Sequence, residues 1–160
     1  MRATDYPYCQ SPFTVLAHRG GAGMAVNKGI ENTLAAFGHA VEVGCTYLET
    51  DVHATSDGVL VAFHDPILDR VTESGGVIAA MPWHKVKQAK VGGEPIPTLD
   101  EIFDAFPEAF INIDIKHDGA TMPLIDVLSR HRAWSRVCVG SFSSKRIQTF
   151  RRLVQGRTAT

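Results

Sequence analysis

Few stretches of this chain restrict its fold as tightly as Phe110 to Lys116, where Ile111, Ile113 and Ile115 alternate with Asn112, Asp114 and Lys116. Successive side chains of a strand point to opposite faces, so this segment has one apolar face and one carrying an amide, a carboxylate and an ammonium. Glu49 and Asp51, two residues apart in the strand expected over Cys45 to His53, repeat the pattern. Candidate strands and helices alternate along the chain, which predicts a parallel α/β sheet. A doubly wound sheet is covered by helices on both faces, and both should be apolar. In a (β/α)8 barrel only the outer face meets helices, and the inner face can be polar near the C-terminal mouth. The polar faces therefore select the barrel. Such a barrel usually takes about 250 residues. The expectation is an α/β fold of (β/α)8 TIM-barrel type, of which these 160 residues cover about the first half.

Other segments fill in that plan, with residues 1–160 as the incomplete N-terminal portion of a single barrel domain. Phe13 to Ala17 reads as a buried strand ending in His18. Asn32 or Thr33 caps a helix carrying Leu34, Phe37 and Val41, closed by Gly44. Asp57-Gly58 predicts a two-residue hairpin turn, with Val59 to Phe63 returning as a strand that ends at His64. Pro66 to Pro97 is rich in turn residues, with a short helical piece at Pro82 to Ala89, so 57–97 forms a hairpin and insertion after the second strand. Thr98-Leu99-Asp100-Glu101 is a capping box whose helix must stop before Pro107. Thr121 is expected to cap the next helix, Arg136 to Phe142 to form the fourth principal strand, and Ser143 or Ser144 to open a last helix ended by Gly156.

Composition excludes several roles. The net charge of −1 provides no overall field toward nucleic acid or an anionic membrane. The first apolar run is too short for a signal-peptide core, and nothing approaches a membrane span. A soluble, cytoplasmic chain is expected, with a secreted mature form left open. Cys9, Cys45 and Cys138 are far apart and lack CxxC spacing, against a disulfide framework or a zinc knuckle.

The charged residues carry the chemistry. Glu49 and Asp51 point the same way, and two unit charges about 4 Å apart cost on the order of 4 kcal/mol at an effective dielectric near 20. Protonation, a basic neighbour or a cation must relieve that repulsion. Arg19 or Lys116 in a structural ion-pair network would suffice. With Asp114 on a neighbouring polar face the reading favours a hard divalent ion, Mg²⁺ or Ca²⁺, for which oxygen ligands are suited. His18 and His64, each at a strand end, can serve as proton acceptor and donor near neutral pH. His53 continues the Glu49 and Asp51 face, which offers it as a third ligand, but the favoured expectation puts it past its strand end in solvent, with His39, His84, His117 and His131 on the surface or in packing. The loop with Gly20, Gly21, Gly23 and Gly29 lacks Gly-Lys-Ser/Thr, and Val26 stands where a third glycine of a dinucleotide motif would be. Met81, Trp83 and Trp134 read as packing residues.

Taken in order, His18-Arg19-Gly20, Glu31-Asn32-Thr33, Glu49-x-Asp51-Val52, Asp57-Gly58, His64-Asp65, Ile96-Pro97-Thr98-Leu99-x-Glu101 and Asp114-Ile115-Lys116 resemble the glycerophosphodiester phosphodiesterase family. The resemblance implies a (β/α)8 barrel with a small insertion after the second strand. It implies one Mg²⁺ or Ca²⁺ held by Glu49, Asp51 and Asp114, an acid–base pair of His18 and His64, phosphate binding by Arg19 and Lys116, and a loop shaped by Glu31 and Asn32. The reaction implied is hydrolysis of a glycerophosphodiester to glycerol 3-phosphate and an alcohol. The third carboxylate departs from the family's usual glutamate by one methylene, and the chain stops as a fifth strand would begin. Alternatives are a barrel phosphodiesterase acting on lysophospholipid, sphingomyelin or phosphoinositide head groups, and an inactive fragment that self-associates as a homo-oligomer through unpaired sheet edges.

Overall fold

In the computed structural model, which describes residues 2–11 and 14–160, the elements follow in the order β1 (Leu16–Ala17), α1 (Leu34–Glu42), β2 (Tyr47–Ala54), β3 (Leu60–Ala62), α2 (Trp83–Val86), β4 (Lys90–Val91), β5 (Glu94–Pro95), α3 (Leu99–Ala105), β6 (Phe110–Ile115), α4 (Thr121–Arg130), β7 (Val137–Gly140) and α5 (Ser144–Val154). β1, β2, β6 and β7 are neighbours in that order, and each pair is parallel. In the same sheet β3 runs antiparallel, against the C-terminal half of β2, and β4 and β5 form a separate antiparallel hairpin. Ala159 makes a parallel bridge to Cys138 on the far side of β7.

The two faces of this sheet differ as the alternation requires. Leu48, Val52, Ile111, Ile113, Ile115, Val137 and Val139 pack against Phe37, Leu99, Ile102, Phe103, Leu124, Leu128, Phe150 and Val154 from the four longer helices. The opposite face carries Tyr47, Glu49 and Asp51 of β2 beside Phe110, Asn112 and Asp114 of β6. At its N-terminal end Tyr47 stacks on Phe110 at 4.8 Å between centroids, and Tyr8 sits edge-on to both. At its C-terminal end it carries Glu49, Asp51 and Asp114. Helices on one face and a polar mouth on the other make this the opening part of a (β/α)8 barrel.

The segment between β2 and α3 has a separate small core of Val61, Phe63, Leu68, Ile78, Val86, Ala89, Val91 and Ile96. Its β4–β5 hairpin comes so close to the loop after β1 that a Cβ on Gly92, at φ +58°, would lie 2.5 Å from the Gly29 carbonyl oxygen.

Local signals in the sequence were mostly followed. Thr33 accepts from the Ala36 N–H and caps α1, Gly44 follows its end at φ +92°, and Thr98 and Glu101 form the expected reciprocal cap on α3. Ser143 caps α5, which runs on to Gln155 and Gly156, both left-handed.

Four expectations need correction. Thr121 is not a cap. α4 is entered through a 3-10 turn at Asp118–Ala120, which the His117 ring caps by accepting from the Gly119 N–H. The β2–β3 loop is longer than two residues, since Thr55 N–H donates to the Val59 carbonyl across Ser56, Asp57 and Gly58. There Asp57 accepts from Thr55 Oγ1 at 2.6 Å and from the Trp83 N–H at 2.9 Å, so it ties the hairpin to α2. The second strand starts at Tyr47 and reaches Ala54, which takes His53 out of solvent. β7 ends at Gly140, leaving Ser141 and Phe142 in the loop that follows. The expected first strand includes Phe13, which lies outside the described residues.

Candidate active site

The polar ends of β1, β2 and β6 meet on the inner face. β1 stops at Ala17, and the chain turns sharply through Arg19, Gly20 and Gly21 at φ +50°, +75° and +79°. A Cβ on Gly20 would lie 3.0 Å from the Phe37 ring, so α1 packs against this turn only because a glycine is there. The turn points the Arg19 N–H at Glu49 Oε2, 2.8 Å away. Asn32, itself left-handed at φ +59°, donates its backbone N–H to the Arg19 carbonyl. Its amide then donates to Asp51 Oδ2 at 3.1 Å and accepts from Thr50 Oγ1 at 2.9 Å.

Parallel register sets Asp51 directly beside Asp114, and Glu49 beside Asn112. Lys116 Nζ bridges the two aspartates, 2.9 Å from Asp51 Oδ1 and 2.6 Å from Asp114 Oδ2. Arg19 Nε lies 3.4 Å from Asp51 Oδ2. Desolvation opposes the charge on Lys116, but the hydrogen bonds it donates to Asp114 and Asp51 outweigh it and raise its pKa. Burial pushes the Glu49 carboxyl up to about 7; the Arg19 N–H works against that rise, and the charges of Asp51 and Asp114 add to it.

His18 Nε2 is 3.9 Å from Glu49 Oε2 on a largely exposed ring. These residues line one cleft with Leu16, Asn112, Gly140, Ser141 and Phe142, about 410 Å³ in volume. A cavity of similar size opens at the opposite end beside Tyr6, Cys9 and Cys138, but no carboxylate or imidazole lines it.

His64 belongs to the network through its neighbours. Its Nδ1 is 2.5 Å from Asp65 Oδ1, and Arg70 Nε donates to Asp65 Oδ2. Arg70 also donates to Glu31 Oε1 at 2.6 Å, the oxygen that accepts from Arg19 at 3.3 Å. Burial works to raise the Glu31 and Asp65 carboxyls, but hydrogen bonding and charge from Arg70 dominate and hold both below their ordinary values. His53, expected in solvent, is 3% exposed. Its Nε2 lies 3.1 Å from the His64 carbonyl, which can only accept, so this nitrogen carries the proton. Burial, the first cause, lowers its pKa and favours the neutral ring.

The donor chemistry fits a hard cation. Glu49 and Asp114 line the cleft and Asp51 lies buried beside Asp114, Asp114 Oδ1 is buried with no hydrogen-bond partner, and burial raises the Glu49 carboxyl. Among the described residues, however, no three such groups converge at ligand distance. Lys116 supplies the positive charge between Asp51 and Asp114, as in the ion-pair arrangement set aside on sequence grounds.

Sequence reading missed Arg70 and Phe142. Arg70 lay in a stretch noticed only for its turns; its signal was a lone cation five residues after Asp65. Phe142 is 97% exposed, with Lys116 Nζ 5.3 Å from its ring centroid.

Residues 18–156 match the model of the glycerophosphoryl diester phosphodiesterase family. The chain is 38% identical over 146 residues to a probable glycerophosphodiester phosphodiesterase 2 of Mycobacterium tuberculosis, covering 91% of this chain and 54% of that protein. It is also 38% identical over 115 residues to the lysophospholipase D GDPD1 of Rattus norvegicus, covering 63% of this chain and 35% of that one. Among solved structures, the glycerophosphodiester phosphodiesterase of Agrobacterium tumefaciens superimposes with a TM-score of 0.79 at 26% identity, over 89% of this chain and 64% of that one. An Oleispira antarctica phosphodiesterase in complex with the product sn-glycerol-3-phosphate does so with a TM-score of 0.81 at 28% identity, over 94% and 65%. The chain spans about half the length of the curated relatives it matches.

Proposed function

The chain belongs to the glycerophosphoryl diester phosphodiesterase family, and from that premise we propose that its protein hydrolyses glycerophosphodiesters to glycerol 3-phosphate and an alcohol such as choline or ethanolamine. The observation carrying this reading is the cleft at the C-terminal strand ends, where His18, Glu49 and Asp114 face one space and Arg19, Asp51 and Lys116 adjoin it.

Glu49, Asp51 and Asp114 would hold Mg²⁺ or Ca²⁺, with Lys116 turning from the aspartates toward the substrate. When bound, such an ion neutralises charge on the phosphodiester. Arg19 and Lys116 bind the non-bridging phosphate oxygens through charge-assisted hydrogen bonds. One of His18 and His64 accepts a proton from the nucleophile, either water or the neighbouring glycerol hydroxyl. The other donates a proton to the departing alcohol oxygen. Attack by the hydroxyl gains from intramolecular proximity and expels the alcohol to leave a cyclic phosphate, which water then opens to glycerol 3-phosphate.

Turnover of glycerophosphocholine by the full-length protein tests this scheme. His18→Ala is expected to lower kcat by about 100-fold or more with the fold intact, and EDTA to abolish activity reversibly. Normal turnover under either treatment overturns it. A second reading, hydrolysis of lysophospholipid, is favoured by the exposed Leu16 and Phe142 on the same cleft and by the likeness to a lysophospholipase D. Faster turnover of lysophosphatidylcholine than of glycerophosphocholine would select it.

A further inference from the structure

Arg70 has no place in the scheme above, and it is 44% exposed in a turn-rich segment, yet its guanidinium joins two loops that both reach the site. Toward one side Nε donates to Asp65 Oδ2, while Asp65 Oδ1 lies 2.5 Å from His64 Nδ1. An ionised carboxylate only accepts, so His64 Nδ1 carries the proton and Nε2 is left as the acceptor of the neutral ring. Toward the other side the terminal nitrogens of Arg70 reach both oxygens of Glu31, at 2.6 and 3.4 Å, and Glu31 Oε1 accepts from Arg19 at 3.3 Å. The path His64–Asp65–Arg70–Glu31–Arg19 therefore runs unbroken from one proposed acid–base histidine to a proposed phosphate-binding arginine. Without Arg70, Asp65 and Glu31 would be two carboxylates facing each other across the gap between these loops.

We propose that Arg70 is a positioning residue, which through Asp65 sets the tautomer and direction of His64 and through Glu31 holds Arg19, so that proton transfer and phosphate binding occur in one register. The inference rests on the function proposed above. A planar fork with donors on two edges fixes the direction of both contacts, whereas an ammonium on a flexible stem supplies charge without that fixed geometry.

The test compares wild type, Arg70→Ala and Arg70→Lys in the full-length protein, with glycerophosphocholine as substrate and the thermal midpoint as the control for folding. Arg70→Ala is expected to lower kcat by about 10-fold to 100-fold, the scale of a small misplacement of reacting groups, with little change in KM. Ethylguanidinium at tens of millimolar is expected to restore much of that kcat in a saturable way, and KCl at equal ionic strength to restore none. Arg70→Lys is expected to recover only part of the loss. A folded Arg70→Ala enzyme with kcat within about twofold of wild type, or one that guanidinium does not rescue, overturns the proposal. If wild type hydrolyses no glycerophosphodiester, the proposed function fails, and the Arg70 Nε–H resonance then judges the linkage separately. Slow exchange with water, and a shift of that resonance in both Asp65→Asn and Glu31→Gln, would support it. Rapid exchange, or indifference to either substitution, would overturn it.

Discussion

The parallel sheet and the segment between β2 and α3 reach the same site by different means. The sheet carries its carboxylates on a rigid frame, with Ile111, Ile113, Ile115, Leu48 and Val52 wholly buried behind them. The segment has a small core of its own, with eight buried apolar residues, and strands of two or three residues, and side-chain-to-backbone bonds such as Thr72 Oγ1 to the Leu68 and Ser74 carbonyls add to its order. Through an arginine fork it ties His64 and Asp65 to Glu31. In the packed sheet Lys116 and Arg19 offset the repulsion of acidic groups whose backbone the apolar core already fixes. In the looser segment Arg70 joins carboxylates carried on loops.

The largest expected effect tests that contrast in the two cores. Ile113→Ala and Ile78→Ala each empty a fully buried site, and such truncations cost about 2 to 5 kcal/mol. Ile113→Ala is expected at the upper end, with loss of the whole folding transition's stability. Ile78→Ala is expected nearer about 2 kcal/mol, with hydrogen exchange accelerated through residues 66–91 while β6 amides stay protected. Equal loss of protection in both regions would erase the distinction between the two cores.

An effect of about 3 kcal/mol or less comes from charge, and its sign differs between the regions. Glu49 titrates near 7 in the folded chain, above its unfolded value. Its contribution to stability is fully present below the unfolded pKa and is lost as pH rises through 7. Glu31 and Asp65 are depressed, so their contribution is present above their unfolded pKa values and lost as pH falls. Urea titrations from pH 5 to 8 are expected to show a falling limb that Glu49→Gln flattens. Mg²⁺ or Ca²⁺ is expected to raise the melting temperature more at pH 8 than at pH 6, because the ion competes with the proton on Glu49. A falling limb that survives Glu49→Gln would show that the sheet carboxylates are not its source.

The smallest effect lies where the segment rejoins the barrel. Thr98→Ala removes the α3 cap, in which Thr98 Oγ1 accepts from the Glu101 N–H at 3.2 Å. Its expected cost is about 1 kcal/mol in chemical denaturation. A neutral result would mean that the packing of Leu99 and Ile102 alone sets the start of that helix.

Much of this was legible in the residue order. Period-two alternation, capping residues and the glycines after helices are local signals, and they give the parallel α/β plan, most helix starts and the acidic face of the second and third principal strands. The errors have a common source. His53 was placed in solvent because its strand end was set one residue early, and only pairing of β2 with β3 and β6 shows that the strand continues to Ala54. Lys116 was weighed as a neutralising partner and then passed over, because the 2.9 Å approach to Asp51 depends on β6 lying beside β2 in one register.

Sequence by itself determined that one strand face would be polar and acidic, since alternation is built into the extended backbone. Tertiary structure alone decided that Asp51 and Asp114 would share Lys116, that His53 would be enclosed, and that Arg70 would reach Glu31 thirty-nine positions before it. Those outcomes depend on which segments pack together, and the free energy of packing belongs to the assembled contacts and not to any single stretch of chain.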